Sequence, residues 1–192
     1  LGDPPNYEPG KEDSISALAK SKGIPELEVI YEEFLKNEGT NLVYACFTPY
    51  ENHKLKFVET FYKLKSSVAG GSDGGAHCAT ICDASFTTHM LTFWGRDRTR
   101  GKKLDLPWII KSYTRDNALA IGLEDRGLIK EGMKADINVF NPEEVTELQP
   151  LLVNDFPGEA PRYIQKSKGF KATIVNGSIN VLDGEPTGAR AG

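Results

Sequence analysis

The sequence contains little sulfur and little histidine: three Cys, two Met and three His in 192 residues. The thiols, Cys46, Cys78 and Cys82, are odd in number and irregularly spaced. That excludes a disulfide framework and points to reduced cysteines. No apolar run approaches the roughly 18 residues of a membrane span. No charged segment leading into an apolar one appears among the first residues, so the expected location is cytoplasmic. Met is absent before Met90, so Leu1 is read as something other than a native start. There is no His-x-His, no His-Glu-x-x-His and no nucleophile elbow. An excess of positive charge is also lacking, since the formal net charge is −4. That excludes a basic nucleic-acid tail.

What is present describes a folded chain. Hydrophobic residues make up 39% and charged residues 26%, as in globular proteins. Nineteen Gly and eleven Pro indicate a loop-rich fold rather than a helical bundle. The length supports one domain or two small ones. It falls short of the roughly 250 residues of a complete (β/α)8 barrel.

Along the chain, residues 14–22 read as a short helix stopped by Gly23, and Pro25 suits a helix first position. Leu27, Ile30, Tyr31, Phe34 and Leu35 then recur at helical spacing. Residues 42–47 read as a buried strand and 55–64 as an amphipathic helix. Residues 67–75 read as a weak strand ending in a Gly-rich loop, the order expected of an α/β unit. Residues 84–94 and 107–113 read as helices. Thr114 is placed as the N-cap of a further helix over 115–121, and Gly122 as its stop. After about residue 126 the pattern changes. Residues 135–140 alternate like a strand, and 141–168 give no clear assignment. Two β-prone runs flanking Asn176-Gly177 predict a hairpin over 171–182 with a type I′ turn.

Candidate chemistry is sparse. Asp73 sits at the expected C-terminal end of a strand, where α/β active sites lie. A carboxylate there can ligate a metal or act as a general base. The plainer reading is a Ser-Asp-Gly turn. His77, Cys78, Cys82 and Asp83 cluster closely enough to suggest zinc, but without the spacing of a structural zinc knuckle. His53 and His89 stand alone. Residues 96–103 carry five cations and one anion. Arg96 and Arg98 within them can clamp a carboxylate, or the run is a solvated loop. Asn176-Gly177 and Asp125-Arg126-Gly127 are turns without assigned chemistry.

The order of several segments carries more than any one of them. Gly71-Ser72-Asp73-Gly74-Gly75-Ala76-His77-Cys78 is followed by Ile81-Cys82-Asp83-Ala84-Ser85. Trp94-Gly95-Arg96-Asp97-Arg98 and Thr114-Arg115-Asp116 come next. Gly122 to Gly127, Gly132-Met133-Lys134-Ala135-Asp136, Val175-Asn176-Gly177 and Thr187-Gly188 complete the series. From about residue 60 onward this resembles the C-terminal portion of N-acyl-D-amino-acid deacylases (D-aminoacylases) of the amidohydrolase superfamily.

The resemblance implies an α/β fold: the last strands and helices of a metal-dependent hydrolase (β/α)8 barrel, plus C-terminal strands of a small β-sandwich. Residues 1–126 would belong to the barrel and 127–192 to the sandwich. Asp73 matches the family's carboxylate at the end of the eighth strand. Its implied role is to hold or deprotonate a metal-bound water and then protonate the leaving amine. It would be both catalytic and a metal ligand, with zinc as the metal. His77 would line the pocket, and Arg96 and Arg98 would meet a substrate carboxylate. The implied substrate is a small N-acyl amino acid, with no nucleic-acid or membrane partner.

The departures matter too. The family's other metal ligands are not found in recognisable motifs, and its Pro-Gly-Arg ending is replaced by Arg190-Ala191-Gly192. The chain is therefore expected to be a fragment, inactive alone and forming homo-oligomers. The competing expectations are a non-catalytic α/β binding or oligomerisation module, and a small metal protein built on His77, Cys78, Cys82 and Asp83.

Overall fold

The computed structural model describes residues 2–46, 50–72 and 84–191. The chain divides into two compact units, Leu1–Leu64 and Lys65–Gly192.

In the first unit, α1 (Ile15–Lys22) is capped by Ser14, whose hydroxyl oxygen accepts the Ala17 N–H at 3.2 Å. Gly23, in the left-handed region, stops it. Pro25 is the N-cap of α2 (Glu26–Leu35), one position before the helical turn the sequence suggested. α1 and α2 pack together, with Ala19 and Val29 buried. α3 (Lys56–Tyr62) forms as expected. Just before it, the Leu55 N–H donates to the buried Glu8 carboxylate at 2.8 Å.

The second unit separates helices from strands along the chain. α4 (Phe86–His89) continues without a break as π-helical turns through Met90–Asp97. α5 (Leu106–Lys111) starts at Asp105, whose carboxylate accepts the Trp108 N–H. π-helical turns over Ser112–Asp116 carry it into α6 (Asn117–Ala120). The helix start expected at Thr114 is therefore corrected. Its hydroxyl donates to the Ile110 carbonyl at 2.6 Å within a continuous helical run, since a local helical acceptor competes with a capping role. Gly122 stops the run as expected, with φ +79°. The Leu123 N–H reaches back to the Ala118 carbonyl and the Gly122 N–H to that of Leu119, a Schellman ending.

All named strands follow residue 136. β1 (Ile137–Phe140), β6 (Phe170–Val175), β7 (Ser178–Leu182) and β8 (Glu185–Pro186) make a four-stranded sheet in the order β1-β6-β7-β8. The hairpin expected between β6 and β7 is present, and Asn176 and Gly177 both have positive φ, as a type I′ turn requires. The unassigned stretch holds four more strands. β2 (Thr146–Glu147) pairs with β5 (Ser167–Lys168), and β3 (Leu151–Phe156) with β4 (Ala160–Ile164). Every strand pair among the described residues is antiparallel.

The chain is thus mixed α/β, and no closed sheet occurs among the described residues. Two expected strands do not form: 42–46 and 67–72 have no regular structure. Their apolar and small residues suit a strand in the middle of a sheet. Such a strand needs neighbours to take its backbone groups, and no described strand flanks either segment. Among the described residues no helix is long and apolar enough to cross a membrane.

Candidate functional site

The residues carrying the expected chemistry separate into two sets. Asp73 and His77, with Cys78, Cys82 and Asp83, lie outside the described residues. Arg96, Arg98 and the segments that follow are described, and there the family-like motifs make docking contacts.

Arg96 is held on three sides. Its Nε and Nη2 donate to the two Asp97 carboxylate oxygens at 2.7 and 2.8 Å. Its Nη1 donates to the carbonyls of Pro142 and Val145 at 2.7 and 3.0 Å, tying the helical segment to the approach to β2. Arg98 is buried, at 2% exposure. Its guanidinium lies 4.3 Å from the Trp94 ring centroid and donates to the Lys102 carbonyl at 2.9 Å. Stacking on a desolvated indole satisfies a buried cation. Both guanidinium groups thus engage partners within their own unit.

The other motif pieces behave alike. The Arg115 Nη1 donates to the carbonyls of Glu124 and Arg126, each at 2.9 Å, and pins the loop after α6. That loop comes so close that a Cβ on Gly127 would lie 2.6 Å from the Arg115 Cα, with Gly127 at φ +82°. Only glycine fits there. Asp136 joins two further motifs. One carboxylate oxygen accepts the Asn176 N–H at 2.8 Å and the other accepts from Arg126 at 3.0 Å. The Ala135 carbonyl accepts the Gly177 N–H. The Ala-Asp pair therefore seats the Asn-Gly turn.

Sequence reasoning missed a buried polar cluster. The Glu147 side chain on β2 is 4% exposed. One oxygen meets His89 Nδ1 at 2.8 Å, and the other accepts from the Thr92 hydroxyl. The His89 ring stacks on Phe93, with planes 8° apart. Beside them the Ser85 hydroxyl donates to the Gln165 side-chain oxygen at 2.7 Å, and the Gln165 amide donates to the Leu148 carbonyl. Burial is the largest single influence on the Glu147 carboxyl and pushes its pKa up. The hydrogen bond and charge of His89, with the Thr92 hydroxyl, outweigh it and hold the group below its ordinary 4.5. His89 and Glu147 are 58 residues apart, and no spacing rule links them.

The cluster carries two donor types and few donors. Among the described residues, no three His, Cys, Asp or Glu side chains converge as a metal site would require. Those residues by themselves do not fit a zinc ion. A separate cleft of about 1170 Å³ opens in the same unit, with Leu91, Ile109, Ile110, Met133, Ile137 and Phe170 among its apolar walls.

Comparison with known proteins agrees with the family resemblance. Over 86 residues the chain is 40% identical to an N-acyl-D-aspartate deacylase of Alcaligenes xylosoxydans xylosoxydans. That match takes in 45% of this chain and 15% of the deacylase, so the chain spans only a small part of that relative. No solved structure matches it. The model of the amidohydrolase family matches residues 12–180, and the chain belongs to that family.

Proposed function

We propose that the chain is the carboxylate-bearing part of a metal-dependent amidohydrolase that cleaves the linear amide C–N bond of N-acyl-D-amino acids. The observation that carries this reading is the identity with the N-acyl-D-aspartate deacylase. The motif series around Asp73 supports it. Residues 1–126 would contribute to the hydrolase barrel and 127–192 to a β-sandwich. Family membership gives a hydrolase; the D-configured substrate and the bond class belong to the proposal.

In this reading Asp73 is the catalytic carboxylate. It takes a proton from the attacking water and returns it to the departing amine, acting as general base and then as general acid. It is also this chain's ligand to the zinc of the complete enzyme. His77 lines the substrate pocket. Arg96 and Arg98 reach a substrate carboxylate only by exchanging the carbonyl and carboxylate partners they hold in this structure. The substrate is a small molecule handled in the cytoplasm, without nucleic acid or membrane, by a homo-oligomeric enzyme.

The test compares two proteins. The 192-residue chain with added zinc is expected to release no carboxylate from N-acetyl-D-aspartate or N-acetyl-D-methionine. The same chain within its complete amidohydrolase is expected to do so, and Asp73→Ala there removes turnover with the fold intact by circular dichroism. Turnover retained by that variant sinks the role given to Asp73. Turnover by the 192-residue chain sinks the expectation that it is inactive alone.

A further inference from the structure

Two features of the second unit remain unsatisfied, and they complement each other. The first is the β3–β4 hairpin. Its strands pair only with one another among the described residues. A lone two-stranded ribbon is marginal in water unless something packs on it. Yet Leu151 and Leu152 are each 56% exposed and Phe156 is 38% exposed. An internal clamp stiffens the hairpin. Arg162 donates through Nε and Nη2 to the two Asp155 oxygens, each at 2.6 Å, and its guanidinium lies over the Phe156 ring. The second feature is the 1170 Å³ cleft. It exceeds the size usual for a small-molecule pocket, and Leu128 and Ile129 beside it are 48% and 90% exposed.

Charge matches shape. Of the charged residues lining the cleft, Lys111 pairs with Asp116, Lys134 with Asp125 and Asp136 with Arg126, which leaves Arg115 and Lys130 against Glu131, an excess of one positive charge. The hairpin carries Asp155 and Glu159 against Arg162, an excess of one negative charge. With Asp155 bound to Arg162, Glu159 at the turn is the acid left over.

We propose that the cleft receives the β3–β4 hairpin of a second copy of this chain, in a reciprocal two-fold exchange. Each copy then has its hairpin covered and its cleft filled, so one contact repeated twice closes the dimer without open-ended assembly. A hairpin of six-residue strands is roughly 20 Å long, enough to place Leu151 and Phe156, which the β3–β4 register puts on one face, along one cleft. The opposite excess charges favour the encounter and fix its direction. This inference does not depend on the catalytic reading.

The test is sedimentation of the whole chain at micromolar concentration. The expected species is a dimer of the 21.1 kDa protomer. Leu151→Glu on the hairpin, or Ile129→Glu at the cleft, is expected to weaken association by more than about tenfold, because each places a charge in an apolar contact. Both positions are exposed in the single chain, so folding is retained. The sharper arm is a charge exchange. Glu159→Lys and Lys130→Glu are each expected to weaken the dimer about fivefold, and the double variant to recover it. A chain that stays monomeric overturns the proposal. So does a dimer indifferent to all four substitutions, or a monomer whose cleft instead binds decanoate, which would assign the cleft to small amphiphiles.

Discussion

Two helical segments with similar sequence signals meet different fates. α2 carries Leu27, Tyr31, Phe34 and Leu35 at helical spacing, yet these are 79%, 64%, 50% and 59% exposed. Only Val29 of that helix is buried. The segment from Phe86 to Asp97 has a comparable apolar pattern, but it buries Met90, Thr92 and Trp94. Apolar periodicity specifies that a helix forms and which face is apolar. It does not supply a surface to cover that face. For 86–97 the covering surface is fixed by polar groups: Glu147 holding His89 and Thr92, and Arg96 reaching the Val145 carbonyl. α2 has ion pairs of Glu32 with Lys22 and Glu33 with Lys36, in which Lys22, Glu32 and Lys36 are 41%, 42% and 55% exposed. Pairs this exposed contribute little.

The largest way to break the contrast is to empty the polar seat. Glu147→Ala leaves a cavity and deprives His89 and Thr92 of their shared acceptor. The expected destabilisation is about 3 kcal/mol. Both tryptophans of the chain, Trp94 and Trp108, lie in the second unit, so fluorescence-detected urea unfolding reports on that unit alone. A loss below about 1 kcal/mol would show that the apolar contacts seat the helix unaided. The same carboxyl sets an acid dependence. Its folded pKa lies below its ordinary 4.5. Its contribution is therefore complete above pH 4.5 and is lost as pH falls through the lower folded value. Wild-type unfolding midpoints are expected to drop through that window, with Glu147→Gln falling less steeply. Parallel slopes would remove Glu147 from the account.

A smaller perturbation keeps the charge and removes one donor. Thr92→Val is close in shape, and it withdraws the hydroxyl from Glu147. A hydrogen bond to a buried carboxylate is worth about 2 kcal/mol, so the expected loss is of that size by the same fluorescence measurement. No change would mean that His89 alone satisfies the carboxylate.

These residues also mark how far the sequence could be read. Local signals were legible. Gly23 stops α1, Gly122 ends the run from α5 to α6, and Asn176-Gly177 turns β6 into β7, because each acts through its own backbone within a few residues. The segments 42–46 and 67–72 failed as strands for the opposite reason: a strand depends on distant neighbours to take its hydrogen bonds. The same holds for the cluster at Glu147. His89 gave no sign of its partner, because the contact is made by docking and not by spacing. The motifs around Arg96, Arg115 and Asp136 were legible as motifs, but their contacts were not. Arg96 and Arg98 looked available to a substrate as letters, and the structure shows their donors taken up by carbonyls and an aspartate. Asp73 and His77, where the sequence places the chemistry, fall outside the described residues.

The smallest expected effect tests the other half of the comparison. Leu27 is 79% exposed on α2, so truncating it removes little apolar surface from a buried environment. Leu27→Ala also exchanges one good helix former for a better one. The expected change in stability is under about 0.5 kcal/mol, read by far-UV circular dichroism because the first unit has no tryptophan. The same truncation at a covered position on such a stripe typically costs about 2–5 kcal/mol. A loss on that scale at Leu27 would mean that the face is covered in solution. α2 and the 86–97 segment would then differ in which partner covers them, and not in whether one does.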